Sequence, residues 1–206
     1  HYWFKEGRQI LEKPAENLLK WTDVHMPFCF CWANQTWARS WSMLQNKNVW
    51  SNTYEQEDTT LDGILLEQSY GYELQWKQHF EYLLPFFKDE RYIKVDGKPL
   101  FLIYKTTEIS CLPEMLDYWQ QLAYLYGLKG IYVIGSSCYT NQGKGLNAEL
   151  YYEPAEAFGC MSELCRDNRT VVSTWEYDDL WESILSKESL ENIYFEGVVG
   201  YDDTPR

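Results

Sequence analysis

Residues 27–41 read PFCFCWANQTWARSW, and the character of this stretch changes in the middle. Its first half, residues 28–32, is an unbroken apolar run, which is typical of a strand buried on both faces. Its second half places amide, guanidinium and indole side chains directly after that run. In parallel α/β folds such groups gather at the carboxyl ends of the strands, where substrates bind. The stretch therefore predicts a buried parallel strand with a binding site at its downstream end.

The residue types after this strand are those that bind sugars. An indole ring covers the apolar C–H face of a sugar ring, while amide and guanidinium groups bond its hydroxyls. The candidate ligand wall consists of Trp32, Asn34, Trp37 and Arg39. Arg39 can donate two parallel hydrogen bonds, which suits vicinal hydroxyls or the carboxylate of an acidic sugar. The alternative is a capped strand end packed beneath a loop, and the strand-end position favours the binding role.

The overall composition describes a globular protein and argues against several function classes. The chain has 206 residues, of which 45 % are apolar and 17 % aromatic, enough for one domain with a full core. Its formal net charge of −13 would repel phosphates, so we expect no nucleic-acid partner. No run approaches the roughly twenty apolar residues that a membrane span requires, so we predict no span.

The six cysteines predict buried thiols rather than a metal site or a disulfide framework. They lie at positions 29, 31, 111, 138, 160 and 165, without a Cys-x-x-Cys pair or a histidine at metal-ligand spacing. Thiols of this kind favour a cytoplasmic location, although a signal peptide could precede the sequence. Neither a glycine-rich dinucleotide loop nor a Walker motif opens any helix, and we predict no metal and no cofactor.

Strand and helix patterns alternate along the chain, which predicts a parallel sheet. After the opening stretch, strands are predicted at residues 100–104, 130–135, 148–152 and 196–200. Helices are predicted at residues 10–21, 72–87, 113–127 and 175–185. Because no phosphate motif supports a doubly wound nucleotide-binding sheet, we predict a (β/α)8 barrel of the TIM type. Such a barrel needs ~250 residues, so we expect residues 1–206 to be a single barrel domain truncated at both ends, without the first strands and the last strand.

Other strand ends supply further candidates for sugar contacts. Tyr2 and Trp3 lie at the end of the first strand, with core packing of Trp3 as the alternative. Glu153 precedes a proline, where it could orient a sugar hydroxyl or lie solvated in a loop. Asp202 and Arg206 form a compact charged group near the end of the chain, with a turn and a local ion pair as the alternative.

Five blocks of the sequence span the chain in order and read HYWF, LEKPAENLL, PFCFCWANQTWARSW, EYLLPFFKDERYIKVDGKPLFLIY and GYDDTPR. Together these blocks resemble the WbsX-type glycosyltransferases of bacterial polysaccharide and lipopolysaccharide biosynthesis. They are also similar to the family ninety-nine glycoside hydrolases, the endo-α-mannosidase type, which implies a (β/α)8 barrel. By this resemblance the strand ends at Tyr104, Glu153 and Asp202 are the fourth, sixth and seventh of the barrel. The glutamates implicated in catalysis in the hydrolase relatives lie in an Asn-Glu-Trp type motif that ends a final strand and close to it, so the resemblance implies catalytic residues beyond Arg206.

The resemblance implies a carbohydrate-active enzyme that acts on glycosidic bonds in bacterial cell-surface polysaccharide metabolism. Its partner would be an oligosaccharide or a polysaccharide. Hydrolysis would require two carboxylates across the scissile bond, whereas transfer would require a nucleotide-sugar or lipid-linked donor. Asp202 and Asp203 are adjacent and lack the Asp-x-Asp spacing, which gives no support to nucleotide-sugar chemistry. The alternative is a non-catalytic glycan-binding barrel, and we expect residues 1–206 alone to have no glycosidase activity.

Overall fold

The computed structural model describes residues 2–38, 64–136, 145–160, 165–167 and 172–198. Within these residues the strands are β1 (Trp3–Lys5), β2 (Arg8–Ile10), β3 (Phe30–Trp32), β4 (Trp37–Ala38), β5 (Ile64–Leu66), β6 (Lys94–Val95), β7 (Lys98–Ile103), β8 (Tyr132–Ser136), β9 (Ala148–Tyr151), β10 (Cys165–Asp167), β11 (Val172–Thr174) and β12 (Ile193–Phe195). The helices are α1 (Glu12–Lys20), α2 (Glu73–Lys88), α3 (Leu112–Leu125), α4 (Ala155–Cys160) and α5 (Tyr177–Leu185). In the part of the chain so described, no helix is long and apolar enough to cross a membrane.

The chain divides into two compact units, residues 1–35 with 68–150 and residues 36–67 with 151–206. The first unit is built on a mostly parallel sheet. β3 pairs in parallel with β7, β7 with β8, and β8 with β9, so neighbouring strands follow the order of the chain. A parallel bridge also joins Tyr2 to Trp32. The predicted α/β class with a parallel sheet is confirmed, while the strands in the described residues do not close into a barrel.

The register of the sheet sorts its side chains onto two faces. Phe30 is aligned with Phe101, and Trp32 is aligned with Ile103. These residues face α2 and α3, because the Phe30 ring packs edge-on against α2 and the Phe101 ring against α3. Alternation along the strands places the intervening residues on the opposite face. The aromatic residues of the predicted strand at residues 28–32 therefore belong to the core beneath the helices.

The predicted helices at residues 72–87 and 113–127 are confirmed as α2 and α3. Apolar residues three and four positions apart form one stripe on each helix, and both stripes pack against the sheet. Trp76 and Trp119 are core residues, as predicted, and the Trp119 indole Nε1 donates to the Trp76 carbonyl oxygen at 2.9 Å. The polar member of the α2 stripe is His79, whose Nε2 lies 2.5 Å from the Tyr2 hydroxyl oxygen. Burial lowers the pKa of His79 well below its usual value, so the ring is neutral in the core.

Two regions differ from the sequence-based expectation. Instead of a single strand end, β1 and β2 form an antiparallel hairpin through a two-residue turn at Glu6 and Gly7, both of which have positive φ. Among the described residues the last strand lies at Ile193–Phe195, and residues 196–198 of the predicted strand at 196–200 are not in a strand. The β-branched and aromatic residues of Ile193–Phe195 favour extended pairing more strongly than the glycine-containing segment that follows.

The second unit contains short elements with a small core of its own. β4 pairs with β5, and β10 with β11, each in an antiparallel manner. α4 and α5 share a buried cluster that consists of Ala157, Leu180 and Ile184. The Phe158 ring stacks on the Trp175 ring at a centroid distance of 4.1 Å. The predicted helix at residues 175–185 is confirmed as α5, which begins at Tyr177.

Candidate functional site

Side chains from three connecting segments meet where β3 and β7 end. We call this group the strand-end cluster, and its members are Asn34, Tyr70, Tyr104, Lys105 and Glu108. Asn34 follows β3, and Tyr104 and Lys105 follow β7. The carboxyl ends of parallel strands lie at one edge of a sheet, which is where α/β proteins bind their ligands. The first unit therefore has a candidate site at the edge that the sequence predicts.

Asn34 joins the two segments that leave this edge. Its Nδ2 donates to the Lys105 carbonyl oxygen at 2.8 Å, and its Oδ1 accepts from the Lys105 backbone N–H at 2.7 Å. The Asn34 side chain is fully buried. The Tyr104 backbone N–H also donates to the Trp32 carbonyl oxygen at 3.1 Å. Asn34 thus positions the polar segment after β7, and its carboxamide is used by the backbone rather than presented at the surface.

The other members of the strand-end cluster present polar groups and a ring at the edge. The Tyr70 hydroxyl donates to the Asn34 carbonyl oxygen at 2.7 Å and lies 3.4 Å from a Glu108 carboxylate oxygen. Burial and the Glu108 carboxylate raise the pKa of Tyr70, so its hydroxyl stays protonated. The Lys105 ammonium lies 4.8 Å from the centre of the Tyr104 ring. An ammonium, a carboxylate, a phenol and an aromatic face thus lie close together, a combination that suits a polyhydroxylated ligand.

Three of the predicted contact residues are core residues of the first unit. Tyr2, Trp3 and Trp32 are each at most 3 % exposed. The Tyr2 hydroxyl contacts His79, and the Trp3 indole Nε1 donates to the Gln35 carbonyl oxygen at 3.1 Å. The Trp32 ring packs at 4.6 Å from the His79 ring. Because neighbouring side chains cover these rings, their faces are not available to a ligand in this structure.

Glu153 and Trp37 lie in the second unit. Trp37 is half-buried on β4, opposite Leu66. The Glu153 side chain is buried and forms an ion pair with Lys187, while its Oε2 accepts from the Ala157 backbone N–H at 3.1 Å. These bonds join the first turn of α4 to the segment after α5, so the Glu153 carboxylate is engaged within the protein.

Sequence reasoning did not identify the partners of Glu153. The Glu153 backbone N–H donates to a Glu196 carboxylate oxygen at 3.3 Å. Burial raises the pKa of Glu196, and the Glu153 carboxylate adds to this effect. Lys187 also lies 5.1 Å from the centre of the Tyr151 ring. Because Lys187 and Glu196 are separated from Glu153 by more than a helix in the sequence, spacing alone gave no signal for them.

The remaining predicted contacts, Arg39, Asp202 and Arg206, lie outside the described residues. Of the predicted set, the structure brings Asn34 and Tyr104 together at one edge. Lys105 and Glu108 were missed, although the rule that singled out residues after the strand at 28–32 applies equally to those after the strand at 100–104. In the ranges described, no group of three or more His, Cys, Asp or Glu side chains could hold a metal ion.

Comparisons with known proteins link the chain to one family. WxcX, an uncharacterized protein of Xanthomonas campestris pv. campestris strain B100, is 28 % identical over 106 residues, which are 50 % of this chain and 12 % of that protein. WxcX of strain ATCC 33913 matches to the same extent, so the match spans about an eighth of each relative. No solved structure matches the chain. The family model described as Glycosyltransferase WbsX matches residues 1–206, and the chain therefore belongs to the WbsX glycosyltransferase family.

Proposed function

We propose that the protein is a carbohydrate-active enzyme that acts on glycosidic bonds, by transfer or by hydrolysis, in bacterial cell-surface polysaccharide metabolism. Membership of the WbsX family across the chain supports a glycan substrate. The structural observation that carries the proposal is the strand-end cluster. It presents Lys105, Glu108 and the Tyr104 ring where two parallel strands end.

These groups suit a sugar for reasons of chemistry. The Lys105 ammonium donates hydrogen bonds, the Glu108 carboxylate accepts them, and sugar hydroxyls can do both. The Tyr104 ring offers a flat apolar surface for the C–H face of a sugar ring. Arg39, Trp37, Asp202 and Arg206 remain proposed contacts, and the catalytic groups are proposed to follow Arg206. The proposed partner is an oligosaccharide or a polysaccharide.

We propose a (β/α)8 barrel as the architecture of the complete domain. In such a barrel each strand lies beside the next one in the chain, whereas a doubly wound sheet reverses its strand order at a switch point. The order β3, β7, β8 and β9 supports the barrel, because no reversal occurs along it. Residues 1–206 would then form one truncated barrel domain. The cytoplasm is the proposed location, because Cys29 and Cys111 form no disulfide.

A non-catalytic glycan-binding barrel is the second candidate function. Hydrolysis of a glycosidic bond needs two carboxylates on opposite sides of that bond. Glu108, after β7, is exposed, but Glu153, after β9, is buried and bound to Lys187. This engagement of Glu153 favours the binding function for residues 1–206 taken alone.

Titration of an oligosaccharide panel against the protein tests both candidates. Glu108→Gln and Lys105→Ala should each weaken binding of the best ligand about five- to tenfold, since each removes a charge-assisted hydrogen bond. Glu114→Gln is the matched control, because Glu114 is an exposed glutamate of α3 outside the strand-end cluster. If no member of the panel binds, or if both variants bind like wild type, the assignment of this site is wrong. Turnover of the bound glycan by the protein would favour the enzyme over the binding barrel.

A further inference from the structure

The ammonium group of Lys105 lies at the strand-end cluster without an acidic partner. Lys105 follows β7, and its side chain is half-buried. Among the described residues, no carboxylate oxygen lies within 4.0 Å of the Lys105 ammonium nitrogen, although Glu108 belongs to the same cluster. By contrast, Arg91 of the first unit bonds the Asp89 carboxylate at 2.7 Å. The charge of Lys105 is therefore left for a ligand.

The surrounding backbone and one ring hold this charge in place. Asn34 bonds the Lys105 N–H and the Lys105 carbonyl oxygen at 2.7 and 2.8 Å. The Glu108 N–H donates to the same carbonyl oxygen at 3.3 Å. The ammonium lies 4.8 Å from the centre of the Tyr104 ring, and this attraction leaves N–H groups of the ammonium for a ligand. A ligand thus meets a charge that is already positioned, so its binding orders little of the chain.

The charges of the strand-end cluster restrict the anions that suit it. Lys105 is its one cation, and the Glu108 carboxylate is exposed, 3.4 Å from the Tyr70 hydroxyl oxygen. Glu108 repels an anion, and the repulsion grows with the charge of that anion. A phosphate group carries a charge of about −1.5 to −2 at neutral pH, whereas a carboxylate carries a single negative charge. A carboxylate therefore matches one ammonium beside one acidic group better than a phosphate does.

An acidic sugar carries partners for both charged groups of the cluster. A uronic acid residue has a carboxylate and several hydroxyls on one ring. The Lys105 ammonium can pair with that carboxylate through a charge-assisted hydrogen bond, which is stronger than a bond to a hydroxyl. Glu108 can accept from the hydroxyls, while the Tyr104 ring covers the C–H face of the sugar. A neutral sugar satisfies Glu108 and Tyr104 equally well but leaves Lys105 with a weaker partner.

We propose that Lys105 makes the strand-end cluster selective for glycans that carry a carboxylate, as a uronic acid residue does. The inference rests on the proposed function, because it names the class of glycan that binds at the same site. Arg39, for which the sequence also suggests an acidic sugar, lies outside the described residues, so the inference uses Lys105 alone. The selectivity comes from one charge-assisted pair rather than from the shape of the site.

The test uses matched ligands and matched variants. An oligosaccharide with one uronic acid residue is compared by titration calorimetry with its methyl ester, which removes the charge and keeps the ring and its hydroxyls. We expect wild type to bind the acid about tenfold more tightly than the ester. Lys105→Met should bind both ligands alike, whereas Lys105→Arg should retain the preference. Lys98→Met is the control and should also retain it, because Lys98 is a half-buried lysine at the opposite end of β7.

Glu108→Gln should have the opposite effect on the preference, because it removes a repulsion that only the acid experiences. If wild type binds acid and ester equally, or if Lys105→Met retains the preference, the inference is wrong and the proposed function stands. Tighter binding of a phosphorylated counterpart of the same oligosaccharide would also contradict the inference. If no oligosaccharide binds, both the inference and the proposed function fail. Should Lys105→Met not fold, Lys105→Gln and the wild-type preference decide the question.

Discussion

The carboxamide of Asn34 forms two hydrogen bonds with the backbone of Lys105, which lies 71 positions further along the chain. Its Nδ2 donates to the Lys105 carbonyl oxygen at 2.8 Å, and its Oδ1 accepts from the Lys105 N–H at 2.7 Å. This pair of bonds acts as a clamp between the segments that follow β3 and β7. The geometry of the strand-end cluster therefore depends on a residue that does not itself reach the surface.

Replacement of Asn34 tests this clamp. Asn34→Ala leaves the Lys105 N–H and carbonyl without partners in a partly buried setting, and we expect the free energy of unfolding to fall by about 2–4 kcal/mol. Urea titration followed by far-UV circular dichroism measures the change. Gln121→Ala, an exposed substitution on α3, should stay within about 0.5 kcal/mol of wild type. Equal stabilities of the two variants would show that the Asn34 bonds contribute nothing.

The buried His79 predicts a loss of stability on mild acidification. In the unfolded chain a histidine gains its proton near pH 6.5, whereas burial lowers the pKa of His79 in the folded chain well below 6.5. As the pH falls below 6.5 the unfolded state binds the extra proton, so the free energy of unfolding decreases. The slope attributable to His79 approaches about 1.4 kcal/mol per pH unit.

His79→Phe identifies this contribution. The variant has no titrating group at position 79, so its free energy of unfolding should change less than that of wild type between pH 6.5 and pH 5. The comparison uses slopes, which are independent of any constant loss caused by the unpaired Tyr2 hydroxyl. His25→Gln, at an exposed histidine, is the control for replacement of a histidine outside the core. A wild-type slope in His79→Phe would mean that other groups cause the acid sensitivity.

The ion pair between Glu153 and Lys187 predicts a strong dependence of stability on both partners. The Glu153 side chain is 1 % exposed, and the Lys187 side chain is 16 % exposed. Glu153→Gln leaves the Lys187 ammonium without its counter-ion, and the expected loss is about 3–5 kcal/mol. The double variant Glu153→Gln/Lys187→Met should be less destabilised than the sum of the single variants.

The same variants separate a structural role of Glu153 from a role in sugar binding. Glu191→Gln is the control, because Glu191 is exposed. If Glu153→Gln keeps wild-type stability but loses binding of the panel ligand, Glu153 contacts the sugar. If stability falls as expected while Glu191→Gln is unaffected, the carboxylate serves the fold of the second unit.

Gly71, before α2, should not tolerate a side chain. Its φ is +58°, and an added Cβ would lie 2.9 Å from the Gln75 Cβ, so Gly71→Ala combines backbone strain with a clash. We expect a loss of about 1–3 kcal/mol by urea titration. Gly127 has φ +80° with nothing within 4 Å of the added Cβ, which makes Gly127→Ala the matched control for strain alone. Equal losses would show that Gln75 moves aside without cost.

Helices and strands could be predicted from the sequence where a single apolar pattern, a run or a stripe, extended over the whole element. An apolar run predicts β7, and an apolar stripe predicts α3. Both elements are found close to the predicted positions. The hairpin of β1 and β2 was missed because Glu6 and Gly7, a turn pair, lie between strands of only three residues. The sequence predicted a strand at residues 196–200 instead of Ile193–Phe195, because the apolar pattern continues beyond Phe195.

The candidate site was predictable only in its location. The rule that strand ends bind ligands points to Asn34 and Tyr104, and both lie at the strand-end cluster. The rule could not show that the carboxamide of Asn34 is hydrogen-bonded to the backbone of Lys105, because the two residues are 71 positions apart in the sequence. Likewise, no local pattern reveals that Lys187 meets Glu153, since the ion pair depends on how α5 packs.

The order of β3, β7, β8 and β9 has a consequence for synthesis on the ribosome. Within this series, each strand that leaves the ribosome after β3 finds its neighbour already made, because spatial neighbours in the series succeed one another along the chain. The sheet can therefore lengthen in the direction of translation, and a chain released after β8 would still contain the paired strands β3, β7 and β8. Removal of β7, in contrast, would separate β3 from every later strand of this series.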